Sequence, residues 1–200
     1  MKVTSIILAG GKNLRLGRNK ALEAIDGKSL IERVVDRLRP LSDRILIVTS
    51  SEQTEFPFLG GAEILIDMEP DRGPLAGIYT GLLASSSSYC IAVACDMPFL
   101  NTDLLRYMIE ISGDYDAVVP RLDDGKVEPL HAVYSRSCLD YMKEQLESNQ
   151  LKVHFLLKTI RVRYIESDER RKLDPQLLSY FNINRQSDLD RAVTLAESEK

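Results

Sequence analysis

Paired glycines and two cations lie close together near the start of the chain. Gly10 and Gly11 follow an apolar run, and Arg15 and Lys20 come shortly after them. Paired glycines let the backbone bend tightly and approach a ligand, and the N–H groups of such a loop can hold phosphate oxygens. Arginine offers those oxygens a planar fork and lysine a point charge. The segment is therefore a candidate phosphate-binding loop, and its alternative is a surface turn with solvated cations.

An aspartate follows a second apolar run. Asp96 comes shortly after the strand-like residues 89–94 and before Pro98. One carboxylate together with substrate phosphates is a usual way for a protein to hold Mg²⁺. Asp96 is therefore a candidate metal ligand, and the alternative is an aspartate that only stabilises a turn.

Two further segments could reach the same site. Asn182 and Asn184 alternate in an extended segment, so both amides can face one side, unless Asn184 only helps to start the last helix. The small residues of 73–77 begin a helix, and a helix N-terminus favours negative charge. The alternative for this segment is tight packing of a helix on a sheet.

The elements that would position these residues alternate between strand and helix. Apolar, β-branched runs predict strands at 3–8, 44–48, 64–66, 89–94 and 117–119, with less regular strands at 132–134 and 161–165. Ser29 and Glu32 form a capping box for a helix that Pro40 ends. Further helices are expected at 74–84, 102–109, 137–147 and 153–158, and after Ser187 or Asp188. This order predicts an α/β fold with three αβα layers and a mostly parallel, Rossmann-like sheet. The candidate residues follow strands, at the edge where such sheets bind ligands.

Residues 1–200 read as one domain without internal repeats. Of the two histidines, His154 lies in an apolar helical pattern and is expected to be structural, whereas His131, shortly after Glu128, could face an acceptor. The charged stretch 169–172 is expected to be a solvated face.

Composition excludes several classes of protein. The chain has 200 residues, is 44% hydrophobic and 28% charged, and carries a formal net charge of −4, which argues against broad nucleic-acid binding. No apolar run is long enough to cross a bilayer, and the start lacks the apolar region of a signal peptide, so we expect a cytoplasmic protein. Cys90, Cys95 and Cys138 are expected to be reduced and too few for a zinc site.

Taken together, the segments resemble the molybdenum cofactor guanylyltransferase family. The glycine-rich segment 8–20 is similar to that family's L-A-G-G-x-x-x-R-x-G-x-x-K pattern, 73–77 is similar to its G-P-L-A-G segment, and 95–99 and 182–184 complete the order. The resemblance implies a fold like that of nucleotide-diphospho-sugar transferases, Mg²⁺ as cofactor, and GTP as donor. The acceptor would be molybdenum-molybdopterin, and the product would be its guanine dinucleotide form.

The resemblance also implies site residues. The nucleotide would contact Leu8, Ala9, Gly10, Gly11, Lys20, Asp67, Gly73, Pro74, Leu75 and Asp96, with Asp71 as the alternative to Asp67. Arg15, Lys20 and Asp96 would be catalytic, Asp96 would hold the metal, and Asn182 and Asn184 would support the metal or the acceptor. We expect 1–115 to bind the nucleotide and 116–200 to bind the acceptor.

Some residues depart from the family pattern. Leu16 stands in place of the usual methionine, Asn19 stands where an aspartate is common, and Thr49-Ser50-Ser51 lacks an asparagine that helps to bind guanosine. A threonine hydroxyl could replace that asparagine. A cytidylyltransferase that uses CTP, and a non-catalytic module that delivers the cofactor to acceptor or insertion proteins, therefore stay as alternatives. We expect a monomer or a weak oligomer that binds neither nucleic acid nor membrane.

Overall fold

The computed structural model describes residues 3–10, 20–57 and 59–197. The strands are β1 (Val3–Leu8), β2 (Ala24–Ile25), β3 (Lys28–Ser29), β4 (Arg44–Thr49), β5 (Glu63–Ile66), β6 (Tyr89–Ala94), β7 (Ala117–Pro120), β8 (His131–Ser135) and β9 (Val162–Ile165). The helices are α1 (Leu30–Leu38), α2 (Pro74–Ala84), α3 (Thr102–Glu110), α4 (Cys138–Glu147), α5 (Val153–Leu156), α6 (Ser167–Leu173) and α7 (Gln186–Glu197), with short 3-10 turns at Lys20–Leu22, Ile111–Asp114 and Leu178–Tyr180.

Seven strands form the central sheet, in the order β5-β4-β1-β6-β8-β7-β9. All neighbours are parallel except that β8 runs antiparallel to both β6 and β7. The short connection between β7 and β8 explains the reversal, because a parallel crossover needs a dozen or more residues and usually a helix. The predicted mostly parallel sheet is confirmed.

Helices cover both faces of this sheet. On one face α1 and α3 pack against side chains such as Ile7, Ile47 and Val93. On the other face α2 and α4 pack against Ile6, Val48 and Ala92. Neighbouring strand residues point to opposite faces, so a strand buried on both sides needs a continuous apolar run, as β1 and β6 have. The three-layer arrangement predicted from those runs is confirmed.

A third, smaller core lies beside the sheet. Its buried members come from the β2–β3 hairpin, from α1, from the segment after β6, and from α7 with the residues just before it: Ile25, Leu30, Phe99, Ile183, Leu189, Ala192 and Ala196. This core joins the C-terminal end of the described chain to residues near its beginning.

The predicted helix signals hold at α1. The Ser29 hydroxyl accepts a hydrogen bond from the Glu32 N–H at 3.4 Å, and the Glu32 carboxylate accepts one from the Ser29 N–H at 2.7 Å. The expected capping box is therefore present.

Within the described part of the chain, none of the helices has the length and apolar character that a membrane span requires. Cys90, Cys95 and Cys138 are free and buried, as expected.

Two expectations about the C-terminal part were wrong, one of them at a single residue. In the stretch expected to be a solvated face, which belongs to α6, Arg171 and Lys172 are exposed, but Arg170 is 1% exposed and pairs with Asp123. An arginine enters the interior when a carboxylate compensates its charge, and this partner lies far away in sequence. His154, expected to be structural, is exposed on α5, which is a single turn and ends at Leu156.

Two glycines set the distance between α2 and the sheet. A Cβ added at Gly77 would lie 2.9 Å from Leu8 Cδ2, and one added at Gly81 would lie 2.5 Å from Ile6 Cγ2. Glycine at these positions lets α2 approach β1 more closely than any other residue would allow.

We therefore expect Gly81→Ala to destabilise the protein. The new Cβ would lie within 2.8 Å of three Ile6 atoms, and overpacking of this severity costs up to about 3 kcal/mol, which exceeds the gain in helix propensity of about 1 kcal/mol. Urea unfolding followed by circular dichroism would measure the loss. Gly113→Ala is the matched control, because a Cβ there meets nothing within 4 Å. An unchanged free energy of unfolding in Gly81→Ala would contradict the close packing.

Candidate active site

The carboxyl ends of the central strands form the rim of the candidate site. The Ala9 N–H donates to Val48 O at 2.9 Å, and the Cys95 N–H donates to Leu8 O at 3.1 Å. The segment after β1 is thereby fixed between the ends of β4 and β6. Leu8 is half-buried, Ala9 is buried and Gly10 is exposed. Among the described residues of the predicted nucleotide-binding segment, Gly10 is the one most open to a ligand.

Lys20, Asp96 and Asn184 meet at this rim. The Lys20 ammonium donates to Asp96 Oδ2 at 2.6 Å and to Asn184 Oδ1 at 3.0 Å. The lysine side chain is 7% exposed and the aspartate side chain 17%. Three residues predicted from separate parts of the sequence are thus brought into one cluster, in which a buried cation is shared by a carboxylate and an amide.

Backbone contacts hold the asparagine in this cluster. The Ile183 N–H donates to Asp96 O at 3.1 Å, and Ile183 itself is buried in the third core. The Asp188 carboxylate accepts hydrogen bonds from the N–H groups of Asn184 and Arg185 at 2.9 and 2.8 Å. Asn182, on the other side of Ile183, is half-buried, and its side chain makes no hydrogen bond to another described residue.

The remaining predicted nucleotide-binding residues lie around the same edge. Asp67 directly follows β5, where its carboxylate accepts hydrogen bonds from the Thr80 hydroxyl at 3.0 Å and the Glu69 N–H at 3.1 Å. Asp71, its alternative, is exposed and has a left-handed backbone with φ of 63°. The structure thus fixes Asp67 to α2 through Thr80, a residue that the sequence analysis did not identify.

The N-terminus of α2 lies after this loop. Gly73 is its N-cap, with φ of 76° and ψ of −170°, a combination that essentially only glycine adopts. Pro74 follows at the first helical position, where no N–H is needed. No side chain caps this end, and its partial positive charge favours an anion. Leu75 is fully buried, so Gly73 and Pro74 are the exposed members of this predicted set.

The donor atoms near Asp96 suit a divalent cation. Asp96 Oδ1 is buried and has no hydrogen-bond partner within the described part of the chain, and Asn184 supplies a neutral oxygen nearby. Among the described residues there is no cluster of three or more His, Cys, Asp or Glu side chains that could hold a metal. This set fits a hard cation that takes one or two protein oxygens and completes its shell with phosphates and water. Two predicted site residues, Gly11 and Arg15, lie outside the described residues.

Two expectations about individual side chains were wrong. Thr49, considered as a substitute for a base-binding asparagine, is fully buried, and its hydroxyl donates to Gln53 O at 3.0 Å. His131, considered as facing an acceptor, is also fully buried, with its ring centroid 5.0 Å from that of Tyr180. Neither side chain is available to a ligand. Both residues belong to inner strands of a sheet that helices cover on both faces, so either side of the pleat is buried.

Glu128 adds a second carboxylate to the edge of the site. It precedes β8, and Leu130 ties this turn to the end of β6, because its carbonyl accepts from the Ala94 N–H at 3.2 Å. Burial raises the pKa of the Glu128 carboxyl, the Leu130 N–H opposes that rise, and the charge of nearby Asp96 adds to it. The candidate site therefore has a second carboxylate close to Asp96.

Comparison with known proteins identifies the family. Residues 5–162 match the family model described as MobA-like NTP transferase domain. The chain belongs to this family. It is 38% identical over 193 residues to the molybdenum cofactor guanylyltransferase of Desulfosudis oleivorans, covering 95% of this chain and 94% of that protein. It is 34% identical over 200 residues to the probable molybdenum cofactor guanylyltransferase of Pelotomaculum thermopropionicum, covering 100% of this chain and 96% of that protein.

A solved structure supports the same conclusion. Molybdopterin-guanine dinucleotide biosynthesis protein A from Archaeoglobus fulgidus superposes with a TM-score of 0.82 at 29% identity, over 98% of this chain and 99% of that one. The resemblance seen in the sequence and the nucleotidyltransferase class are therefore confirmed. The fold is the one shared by MobA-like nucleotidyltransferases.

The buried histidine near the site generates a prediction about stability. Burial lowers the pKa of His131 to about 4, below its value of about 6.5 in an unfolded chain. The unfolded state therefore takes up a proton first, and the stability that neutral His131 contributes is present above pH 6.5 and lost as the pH falls towards 4. Between pH 7.5 and 5.0 we expect the wild type to lose about 2 kcal/mol that His131→Phe does not lose.

Urea unfolding at the two pH values would measure this difference. His154→Phe is the matched control, because His154 is exposed and its removal should leave the pH dependence as in the wild type. An equal pH dependence in wild type and His131→Phe would show that His131 does not carry the effect.

Proposed function

We propose that this chain transfers GMP from GTP to the terminal phosphate of molybdenum-molybdopterin. The products are the guanine dinucleotide form of the cofactor and pyrophosphate. The observation that carries the proposal is the meeting of Lys20, Asp96 and Asn184 at the strand ends of a MobA-like domain. The names of the two relatives and of the Archaeoglobus protein supply the donor and the acceptor.

The reaction is a displacement at the α-phosphorus of GTP. An oxygen of the acceptor phosphate forms a bond to that phosphorus, and the bond to the oxygen that leads to the β-phosphate breaks. Pyrophosphate leaves with the electron pair. Because a phosphate monoester is already anionic at neutral pH, its attack requires no general base. Catalysis then consists of positioning the two phosphates and neutralising their charge.

Lys20 is the charge-neutralising group of the described site. Its ammonium is buried and lies at the end of a side chain flexible enough to reach a phosphate oxygen. Arg15 is proposed to act beside it on the departing pyrophosphate. Asp96 and Asn184 would hold Mg²⁺, which when bound neutralises phosphate charge and orients the phosphate oxygens.

The two parts of the chain divide the substrates between them. We assign the nucleotide to residues 1–115, with Leu8, Ala9, Gly10 and Asp67 at the ends of β1 and β5. The acceptor belongs to 116–200, and the protein works in the cytoplasm. Because Thr49 is directed inward, we attribute base recognition to the turn that follows it, in which Ser51 and Glu52 are exposed.

Asp96→Asn tests the catalytic assignment. We expect the rate of GMP transfer to fall by about 10²–10³, the usual cost of removing a group that meets developing charge. The measurement is incorporation of α-³²P-GTP into cofactor in the presence of Mg²⁺ and molybdenum-loaded molybdopterin. Asp36→Asn is the matched control, because Asp36 forms a similar pair with Lys28 at 2.7 Å on the exposed surface. If Asp96→Asn stays folded and transfers GMP at the wild-type rate, the assignment is wrong.

A comparison of labelled nucleotides tests the donor. With α-³²P-GTP and α-³²P-CTP in parallel reactions, we expect label from GTP to enter the cofactor at least tenfold faster. Preferential use of CTP would identify a cytidylyltransferase instead. Tight GTP binding by calorimetry without any release of pyrophosphate would favour a non-catalytic carrier.

A further inference from the structure

The Lys20 ammonium occupies the protein oxygens to which we assign the metal. Its Nζ lies 2.6 Å from Asp96 Oδ2 and 3.0 Å from Asn184 Oδ1. The pair is largely shielded, because the two side chains are 7% and 17% exposed. A lysine held this way already occupies one oxygen of the carboxylate and the amide oxygen that a cation would use.

An ammonium and a divalent cation cannot share these two oxygens. Mg²⁺ sits at about 2.0–2.1 Å from its ligands, so a cation on Asp96 Oδ2 would meet the lysine proton that already points there. The repulsion between the two positive charges is strong in a site that water screens poorly. The remaining oxygen, Asp96 Oδ1, is buried and unpartnered within the described residues, and on its own it is a weak site.

We propose that Lys20 is a tethered counter-ion that keeps the divalent cation off Asp96 and Asn184 until a nucleotide binds. The phosphates of the nucleotide attract the ammonium, the lysine leaves the two oxygens, and the cation takes its place. The metal therefore enters with the nucleotide rather than before it. This inference rests on the assignment of Asp96 and Asn184 to the metal in the proposed function.

The position of Lys20 allows this exchange. The residue is the last of the predicted phosphate-binding segment and begins the 3-10 turn Lys20–Leu22, and its four-carbon stem can swing by several ångströms without movement of the backbone. Asp96 is less mobile, because its carbonyl accepts a hydrogen bond from the Ile183 N–H at 3.1 Å. The Lys20 ammonium therefore moves, whereas the Asp96 carboxylate stays in place.

The test measures Mn²⁺ binding in the absence of nucleotide. Free Mn²⁺ is followed by electron paramagnetic resonance during titration of the wild type, Lys20→Met and Lys28→Met. We expect Lys20→Met to bind one Mn²⁺ about 10- to 100-fold more tightly than the wild type, which is the usual range for coupled sites. Lys28→Met is the matched control, since it removes an equally short lysine–aspartate pair from the surface, and should bind Mn²⁺ as the wild type does.

A double variant locates the gained site. Lys20→Met combined with Asp96→Asn should lose the tighter binding, because the released carboxylate is gone. Equal affinity in the wild type and Lys20→Met would overturn the proposal, as would a gain that survives in the double variant. Should Lys20→Met fail to fold by circular dichroism, Lys20→Gln replaces it, because a glutamine removes the charge but retains a donor for Asp96.

These outcomes are separate from those of the transfer assay. If Lys20→Met binds Mn²⁺ more tightly but the wild type transfers no GMP, the proposed function is wrong and the counter-ion role of Lys20 stands. If the wild type transfers GMP but the wild type and Lys20→Met bind Mn²⁺ equally well, the counter-ion role is wrong and the proposed function stands.

Discussion

The ion pair between Lys20 and Asp96 is the contact on which the organisation of the site depends. Its two members lie far apart in the chain, and Asn184 joins them from near the C-terminal end. A buried charge without a partner is strongly destabilising, so the elements that carry these residues must meet accurately. The third core supplies that accuracy, because Ile25, Phe99 and Ile183 lie a few residues from Lys20, Asp96 and Asn184 respectively and pack in the same cluster.

The surroundings of this pair keep the local charge in balance. Close to Asp96, burial raises the pKa of the Glu128 carboxyl, and the negative charge of Asp96 adds to that rise. His131, two residues past Pro129, is kept neutral by burial at physiological pH. Arg170 is further from the reacting groups and has its charge compensated by Asp123. Among the described residues of the site, Lys20 is thus the cation that contacts Asp96. Its positive charge suits substrates that carry several negative charges.

The sequence predicted those parts of the fold that are periodic. The apolar runs of β1, β4 and β6 could be assigned with their ends, and Lys20 and Asp96 could be placed at one edge because each follows such a run. The direction of β8 could not be predicted, since an apolar run has no polarity. The β2–β3 hairpin is too short to show periodicity. Its turn, Asp26-Gly27, is nevertheless a recognisable hairpin signal, and the two residues have φ angles of 50° and 78°. The burial of Arg170 depends on Asp123, and a stretch of charges does not reveal a distant partner.

The position of Asn184 has a consequence for the newly made protein. Synthesis proceeds from the N-terminus, at about 5–20 residues per second, and the segments that contain Lys20 and Asp96 leave the ribosome well before α7 does. Until the residues around Ile183 emerge, the carbonyl of Asp96 and the small core beside it lack their last partners. A nascent chain can therefore build most of its sheet while it still lacks the asparagine that completes the cluster of Lys20 and Asp96.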